Sequence, residues 1–210
     1  MLHEVDDALR ALVGTQALAG GDVRLVFDAP TREWAAQRNI PTVNIYLYDV
    51  REDLARRERG PARVHGKDGR VTSYRQQPRF YCLSYLVTAW TKQPEDEHRL
   101  LSAVLGCLLR NETLPSEMLP AGGMLATAGV TIPLTVAVPP SEPRSIADIW
   151  SALGGELKPS LDVVVIAPFL VSPEFPAGPQ VTEVQVRVRD SVSSVSSVSS
   201  VSEVRRKPLT

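Results

Sequence analysis

The apolar pattern of this sequence indicates an α+β (mixed α/β) domain, with a single mixed sheet and about three flanking helices. Segments with helical spacing and segments with every second residue apolar follow each other in mixed order. The 210 residues are 43% hydrophobic and 22% charged, which is typical of one globular domain with a sizeable core. The formal net charge of −1 argues against a nucleic-acid binder. No stretch reaches the roughly 20 apolar residues that would span a membrane.

The chain begins with a predicted helix, a strand and a second, short helix. Apolar residues recur at helical spacing over residues 4–13, and Gly20-Gly21 ends that helix. Val23, Leu25 and Phe27 alternate with Arg24 and Val26, which predicts a short strand. Thr31 is placed to cap a short helix that runs through Arg38.

Four further segments are predicted strands of the sheet. Residues 42–50 alternate, which favours a strand with one buried face. Residues 80–90 are apolar on both faces, so we expect this strand in the centre of the sheet. Residues 161–167 are almost continuously apolar and predict another buried strand. Residues 130–138 alternate but contain Pro133, which cannot donate a ladder hydrogen bond and therefore predicts an edge strand.

Two longer helices complete the predicted domain. Pro94, followed by three acidic residues, has the composition of a first helical turn, and the apolar stripe behind it ends near Arg110. Ser145 and Asp148 form a start similar to a capping box, for a helix that stops at Gly154-Gly155.

Residues 51–79 are the most basic part of the chain. They hold nine Lys or Arg and four acidic residues, a local net charge of +5, whereas the remainder carries −6. The turn sequence Gly66-Lys67-Asp68-Gly69 tolerates the positive φ angles of a tight hairpin turn, which predicts a projecting two-stranded hairpin. Its basic side chains are either a solvated loop or a contact surface for an acidic protein partner.

Aromatic and basic side chains supply a candidate protein interface, because tryptophan, tyrosine and arginine are the usual interface anchors. Each of them is alternatively an ordinary core or surface residue. Residues 181–190 alternate valine with charged residues and predict a strand that adds to the sheet edge of a neighbour. The candidate interface residues are Arg56, Arg57, Arg59, Arg63, Lys67, Arg70, Trp34, Tyr46, Tyr48, Val184, Val186 and Val188.

The composition divides the chain into three parts. Residues 1–168 form the predicted domain, and residues 169–190 form a proline-rich arm with the added strand. Residues 191–210 contain a Ser-Val repeat with valine at every third position. That period fits neither a strand nor a helix, so we expect a disordered tail.

The sequence offers no chemistry of an enzyme. It lacks a P-loop, a dinucleotide-binding glycine turn and a nucleophile elbow. Consecutive residues Glu95–His98 point in different directions on a helix and do not converge on a metal. Cys82 and Cys107 are expected to be reduced, small buried hydrophobes, and with the acidic start of the chain they indicate the cytoplasm. We expect no catalytic residue, metal or cofactor; a small-molecule-binding or hydrolytic domain is the alternative from another class.

Five sequence blocks, in this order, carry a family resemblance: His3–Arg10, Pro30–Trp34, Pro41–Glu52, Tyr85–Thr91 with Pro94–His98, and Trp150–Leu161. They are similar to the N-terminal domain of the cap, or tail-terminator, proteins of phage-tail-like contractile injection systems of the virulence-cassette type. The resemblance covers residues 2–168 and leaves the Ser-Val repeat outside.

The resemblance implies a tail-terminator-like fold and a structural role. Members form a hexameric ring on the end of the particle distal to the baseplate, where they close the inner tube, contact the last sheath ring and stop polymerisation. The implied partners are other copies of the chain, the inner-tube protein and the sheath protein, without nucleic acid or membrane. Assembly in the cytoplasm, in a particle that can be released, is also implied.

The resemblance assigns no contact residues. Our hypothesis from the sequence is that hairpin 60–79 meets the tube or sheath, and that residues 181–190 add a strand to a sheath or cap neighbour. An adaptor that binds another particle component, such as a baseplate or cargo protein, is the alternative.

Overall fold

The computed structural model describes residues 1–139, 145–170 and 174–178. Within these ranges, its α-helices are α1 (Leu2–Gln16), α2 (Arg32–Ala36), α3 (Pro94–Arg110), α4 (Met124–Ala128) and α5 (Ile146–Ala152). Its strands are β1 (Arg24–Val26), β2 (Thr42–Glu52), β3 (Pro61–His65), β4 (Val71–Gln76), β5 (Arg79–Trp90), β6 (Leu134–Val136), β7 (Ser160–Phe169) and β8 (Phe175–Pro176). The α+β class is therefore confirmed.

The main sheet has five strands in the order β1-β2-β5-β7-β6. β1 is parallel to β2, and the other neighbours are antiparallel. β5 occupies the centre, as its two apolar faces predict, and β6 lies at an edge, as Pro133 predicts. β6 is shorter than the predicted strand 130–138, and at its C-terminal end the backbone turns at Ala137, where φ is +53°.

One face of this sheet is covered by α1 and α3. The buried stripe of α1, which includes Leu9 and Leu12, packs with Val104 of α3 against Leu83 and Tyr85 of β5. Apolar area removed from water here contributes about 25 cal/mol per Å² to folding. The helical spacing in the sequence therefore marks the residues that hold both helices on the sheet.

The two cysteines are both free but differ in burial. Cys107 is buried in the core beneath α1, as expected. Cys82 is only half-buried, which corrects the expectation for this residue. It lies on the side of β5 away from the core helices, in register with exposed Arg51 of β2.

The opposite face is covered at one end by α2 and α5, which bring three indoles together. Trp34 lies edge-on to Trp90 with ring centroids 5.4 Å apart, and Trp150 lies 6.3 Å from Trp90. Both helices begin at side-chain caps: Thr31 accepts a hydrogen bond from the Trp34 N–H, and Ser145 accepts one from the Asp148 N–H.

The predicted hairpin exists and is part of a second, three-stranded sheet in the order β3-β4-β8. Its turn contains Gly69 with φ +75°, the conformation that the Asp-Gly pair predicts. The structure thus differs from the single predicted sheet by this small second sheet and by the short helix α4. β8 is formed by two residues of the proline-rich arm, which carry no recognisable strand pattern.

Glu4 is a buried carboxylate that ties α1 to α4. One oxygen accepts a hydrogen bond from the Leu125 N–H at 2.9 Å, and the other lies 3.1 Å from the Met1 amino group. Burial by itself raises the pKa of Glu4, but the Leu125 hydrogen bond and the neighbouring amino group together hold that pKa below its usual value. The ionised form of Glu4 is therefore the one that stabilises the fold.

We expect Glu4→Ala to lower the free energy of unfolding by about 3 kcal/mol, because it leaves buried partners without their counter-group. Glu4→Gln keeps an acceptor for Leu125 and should cost less. Since the folded-state pKa lies below the unfolded one, the contribution of Glu4 is present at neutral pH. It is lost as the pH falls below about 4.

Urea unfolding at pH 7 and pH 3 measures this effect. The difference between the native chain and Glu4→Ala should be large at pH 7 and smaller at pH 3. Asp7→Ala, which removes an exposed carboxylate from the same helix, is the control and should change stability little. Equal stability of the native chain and Glu4→Ala at pH 7 would contradict the assigned role.

Candidate protein interface

The main sheet has two ends, set by the pairing of β2 with β5. Thr42 is opposite Trp90 at one end, and Glu52 is opposite Tyr81 at the other. At strand spacing these ends are roughly 30 Å apart. We call the second one the hairpin end, comprising residues 50–82, 167–169 and 174–178, because the hairpin β3–β4 leaves the sheet there. We call the other the tryptophan end.

Ion pairs fix the root of the hairpin. Arg57 and Arg79 share the carboxylate of Glu52, at 3.1 and 3.8 Å, and Arg56 pairs with Asp53 at 3.4 Å. Arg56 also stacks over the ring of Phe80 at 5.6 Å. Two arginines on one carboxylate leave an excess positive charge, so the root is basic even where its charges are paired.

Several other cations of the hairpin end are unpaired. Arg59, Arg63, Lys67 and Arg75 are exposed and have no acidic partner in the described part of the chain. Arg70 is also exposed, with Asp68 at 3.7 Å, a distance at which a surface pair contributes little. These side chains stabilise nothing within the described part of the subunit, so they are available either to water, as in a solvated loop, or to an acidic protein partner.

Large apolar side chains are exposed at the same end. The exposed fractions are 44% for Val50, 68% for Leu54 and 52% for Phe175. Phe169 is 36% exposed, with its ring edge-on to Tyr81 at 6.2 Å. Exposed aliphatic and aromatic residues beside arginines have the composition of a protein–protein interface.

A cleft of about 510 Å³ lies at the hairpin root. Tyr74 and Phe175, which pair across β4 and β8, line it together with Arg57, Arg79 and Pro61. The arginines are half-exposed and are held by Glu52, so their guanidinium groups are positioned before any partner arrives. The cleft can accept an acidic side chain beside an apolar one.

The aromatic candidates from the sequence lie elsewhere. Trp34 is at the tryptophan end, where its indole N–H donates to Asp28 at 2.8 Å. Tyr46 and Tyr48 are half-buried on β2, and the Tyr48 hydroxyl lies 3.0 Å from a carboxylate oxygen of Asp162. The structure therefore does not bring these three side chains together with the hairpin cations. Val184, Val186 and Val188 lie outside the described residues.

Leu54, Phe169 and Phe175 are contact candidates that the sequence analysis missed. Each follows or precedes polar or proline residues, so no periodic pattern distinguishes it from a core residue. For Leu54 and Phe175 the available signal was a large apolar residue beside polar or proline neighbours; for Phe169, at the end of a buried strand, there was none. Only the three-dimensional arrangement places all three at the hairpin end.

Tyr85 and Asp6 form a titratable pair within the domain. Tyr85 donates to Asp6 at 2.8 Å between β5 and α1. Burial raises the pKa of Asp6, and burial together with the Asp6 carboxylate raises the pKa of Tyr85. The pair lies beneath a core helix and serves to fix α1 on the sheet.

The described residues also offer neither a metal site nor a membrane-spanning helix. No group of three histidine, cysteine or acidic side chains in residues 1–139, 145–170 and 174–178 could hold a metal ion. Of the helices in these ranges, none combines the length and apolar character needed to cross a membrane.

Known structures share this fold. The sheath/tube terminator of the PVC extracellular contractile injection system, in its extended state, aligns with a TM-score of 0.66 and 23% identity, over 93% of this chain and 65% of that one. The tube-terminating cap of the anti-feeding prophage aligns with a TM-score of 0.56 and 23% identity, over 89% of this chain and 60% of that one. The chain thus spans less than two thirds of the length of either protein. No curated protein matches its sequence significantly.

Sequence evidence for the family is more direct than these structural alignments. Residues 4–183 match the family described as the Pvc16 N-terminal domain. The match covers most of the chain, including the main sheet, the hairpin and the first part of the proline-rich arm. The chain therefore belongs to the Pvc16 N-terminal domain family.

Proposed function

We propose that this chain is a structural cap that terminates the tube and sheath of a contractile injection system. The observation that carries the proposal is the hairpin end, where unpaired cations, exposed apolar side chains and an aromatic cleft coincide. Such a surface is built to be covered by protein rather than to bind a small substrate. The fold shared with two terminator proteins supports the same role.

Termination follows from the symmetry of growth. A tube or sheath that repeats one head-to-tail interface continues until a different piece occupies its end. A cap must match one side of that interface and offer no second copy of it. We infer that six chains close side by side into a ring, as the symmetry of a six-fold tube requires.

The hairpin is the element that we assign to the tube or sheath contact. Segment 51–79 has a net charge of +5 and the rest of the chain has a net charge of −6, so the hairpin is basic and the remainder of the chain is acidic. Arg63 and Arg75 are free of internal acidic partners among the described residues, so they are available to an acidic surface at no cost to the fold. Electrostatic attraction of this kind fixes register and speeds association.

The arm is assigned to a neighbouring subunit. The Ala177 N–H donates to Thr72 on the outer part of the hairpin, so the described chain ends at Gly178 beside β4 and away from the main sheet. The twelve residues from 179 to 190 reach at most about 40 Å from that point. Val184, Val186 and Val188 would then pair with the edge of a sheath or cap neighbour.

In this role the chain is not an enzyme and needs no cofactor. It would assemble in the cytoplasm as part of a particle that can be released. Attachment as an adaptor for a baseplate or cargo protein would use the same hairpin, but no observation on the molecule favours it.

Reversing charge on the hairpin tests the tube or sheath contact. We expect Arg63→Glu with Arg75→Glu, expressed with the tube and sheath proteins of the same particle, to give over-long or uncapped tubes. Particle length and end structure in negative-stain micrographs are the readout. Arg24→Glu with Arg32→Glu, an equal charge change on exposed residues at the tryptophan end, should leave particle length normal. Normal particles from the hairpin variant would contradict the assignment.

The ring is tested separately by mass. Purified protein should sediment, alone or with short tubes, as a species of about six times the 23.0 kDa chain, and negative-stain images should show a closed ring. A chain that remains monomeric beside its tube would be inconsistent with a terminator.

Shortening the chain tests the arm. Deleting residues 181–210 should leave the melting temperature unchanged, because the described core is formed by residues 1–167. The same deletion should reduce the fraction of capped tubes. Deleting only residues 191–210 is the matched control and should preserve capping. Loss of capping in that control would show that the Ser-Val tail is required, and would contradict the role assigned to residues 181–190.

A further inference from the structure

A second cleft, of about 670 Å³, lies at the tryptophan end. It opens between residues 38–41, which lead into β2, and the start of α3. Trp90 and Lys158 line its wall, and exposed Ile40 lies at its edge. It is roughly 30 Å from the hairpin and shares no residue with the cleft at the hairpin root.

Four cations line this cleft, and two of them are already paired. Lys158 contacts Glu97 at 2.6 Å and lies over the Trp90 ring at 4.2 Å. Arg99 pairs with Asp96 at 3.0 Å. Asp96 and Glu97, the two carboxylates that line the cleft, are therefore each paired with a cation.

Arg38 and Lys92 are the two remaining cations. Among the described residues, neither has an acidic partner or a hydrogen-bond acceptor. Lys92 is exposed, so water solvates its ammonium group. Arg38 is different, because its Nε is shielded from solvent and still has no acceptor. A buried donor without an acceptor is unfavourable and leaves this guanidinium less well hydrated than an exposed one. A carboxylate that meets its outer N–H groups from the cleft would therefore gain more than it would at a fully solvated cation.

Stacking holds Arg38 in place. Its guanidinium lies over the Trp34 ring at 4.6 Å, and Trp34 is in turn fixed by Trp90 and by its hydrogen bond to Asp28. A guanidinium held over an indole has less freedom to rotate, and its N–H edge suits the two oxygens of a carboxylate.

We propose that this cleft receives an acidic side chain of a partner polypeptide, with the carboxylate between Arg38 and Lys92. The unpaired positive charge selects a carboxylate, and Ile40, Pro41 and Leu100 offer apolar surface beside it for a neighbouring residue. The recognised chemistry is thus a Glu or Asp next to an apolar residue in an exposed segment. The site goes beyond the hairpin contact and gives the chain a second interaction surface at the opposite end of the sheet.

The test uses the intact chain and two sets of fluorescein-labelled hexapeptides. One set carries a central glutamate flanked by every combination of alanine, valine, leucine and phenylalanine, and the other has glutamine in its place. Fluorescence anisotropy measures binding, and quenching of tryptophan emission reports contact with Trp34 and Trp90. We expect the best glutamate peptides to bind at least about tenfold more tightly than their glutamine counterparts.

Variants locate the site. Arg38→Gln should weaken glutamate-peptide binding at least about tenfold, and Lys92→Gln, on an exposed side chain that the fold does not need, should weaken it several-fold. Arg32→Gln, which lies on α2 outside the cleft, is the matched control and should bind as the native chain does.

Three results would overturn the proposal: equal binding of the glutamate and glutamine sets, no binding of any glutamate peptide at millimolar concentration, or unchanged binding in both cleft variants. Acetate that competes as well as unlabelled peptide would also overturn it, because a free carboxylate would then suffice. None of these outcomes depends on capping, since the assay contains no tube or sheath.

Discussion

Burial of β5 on both faces is the constraint on which the rest of this molecule depends. Leu83 and Tyr85 on one face hold α1 and α3, while Leu86 and Trp90 on the other lie toward the short helices. A strand that is covered twice cannot shift by one residue without moving every side chain to the wrong face. The same strand begins at Arg79 in the hairpin root and ends at Trp90 in the second cleft. Its register therefore fixes both candidate surfaces relative to each other.

The sequence was sufficient for elements whose periodicity is long or whose ends carry caps. The apolar stripe of α3, the alternation of β2 and the double-faced β5 each leave a pattern that local physics explains. The Ser145 cap and the Gly69 turn were equally readable, because each requires a particular residue type at one position. Charge segregation also marked the hairpin as a candidate contact surface before its strands were placed.

Features created by contacts distant in sequence could not be predicted in this way. β8 is a strand only because Phe175 lies beside Tyr74, about a hundred residues earlier, and nothing near Phe175 encodes that pairing. Glu52 pairs with Arg79 at the start of β5, and Trp34, over which Arg38 lies, packs against Trp90 at the end of the same strand. The half-burial of Cys82 follows from which part of the second face the helices leave open. Residue types in the sequence therefore identified candidate interface residues, but tertiary packing determined which of these side chains lie together.

The attachment of β8 to the hairpin has a mechanical consequence. The proline-rich arm follows β7, and its two β8 residues pair antiparallel with β4. Tension applied to the arm and directed outward along the hairpin loads the β4–β8 hydrogen bonds in shear before it reaches β7. Under such tension the two residues of β8 should therefore separate from β4 first, while the five-stranded sheet remains intact.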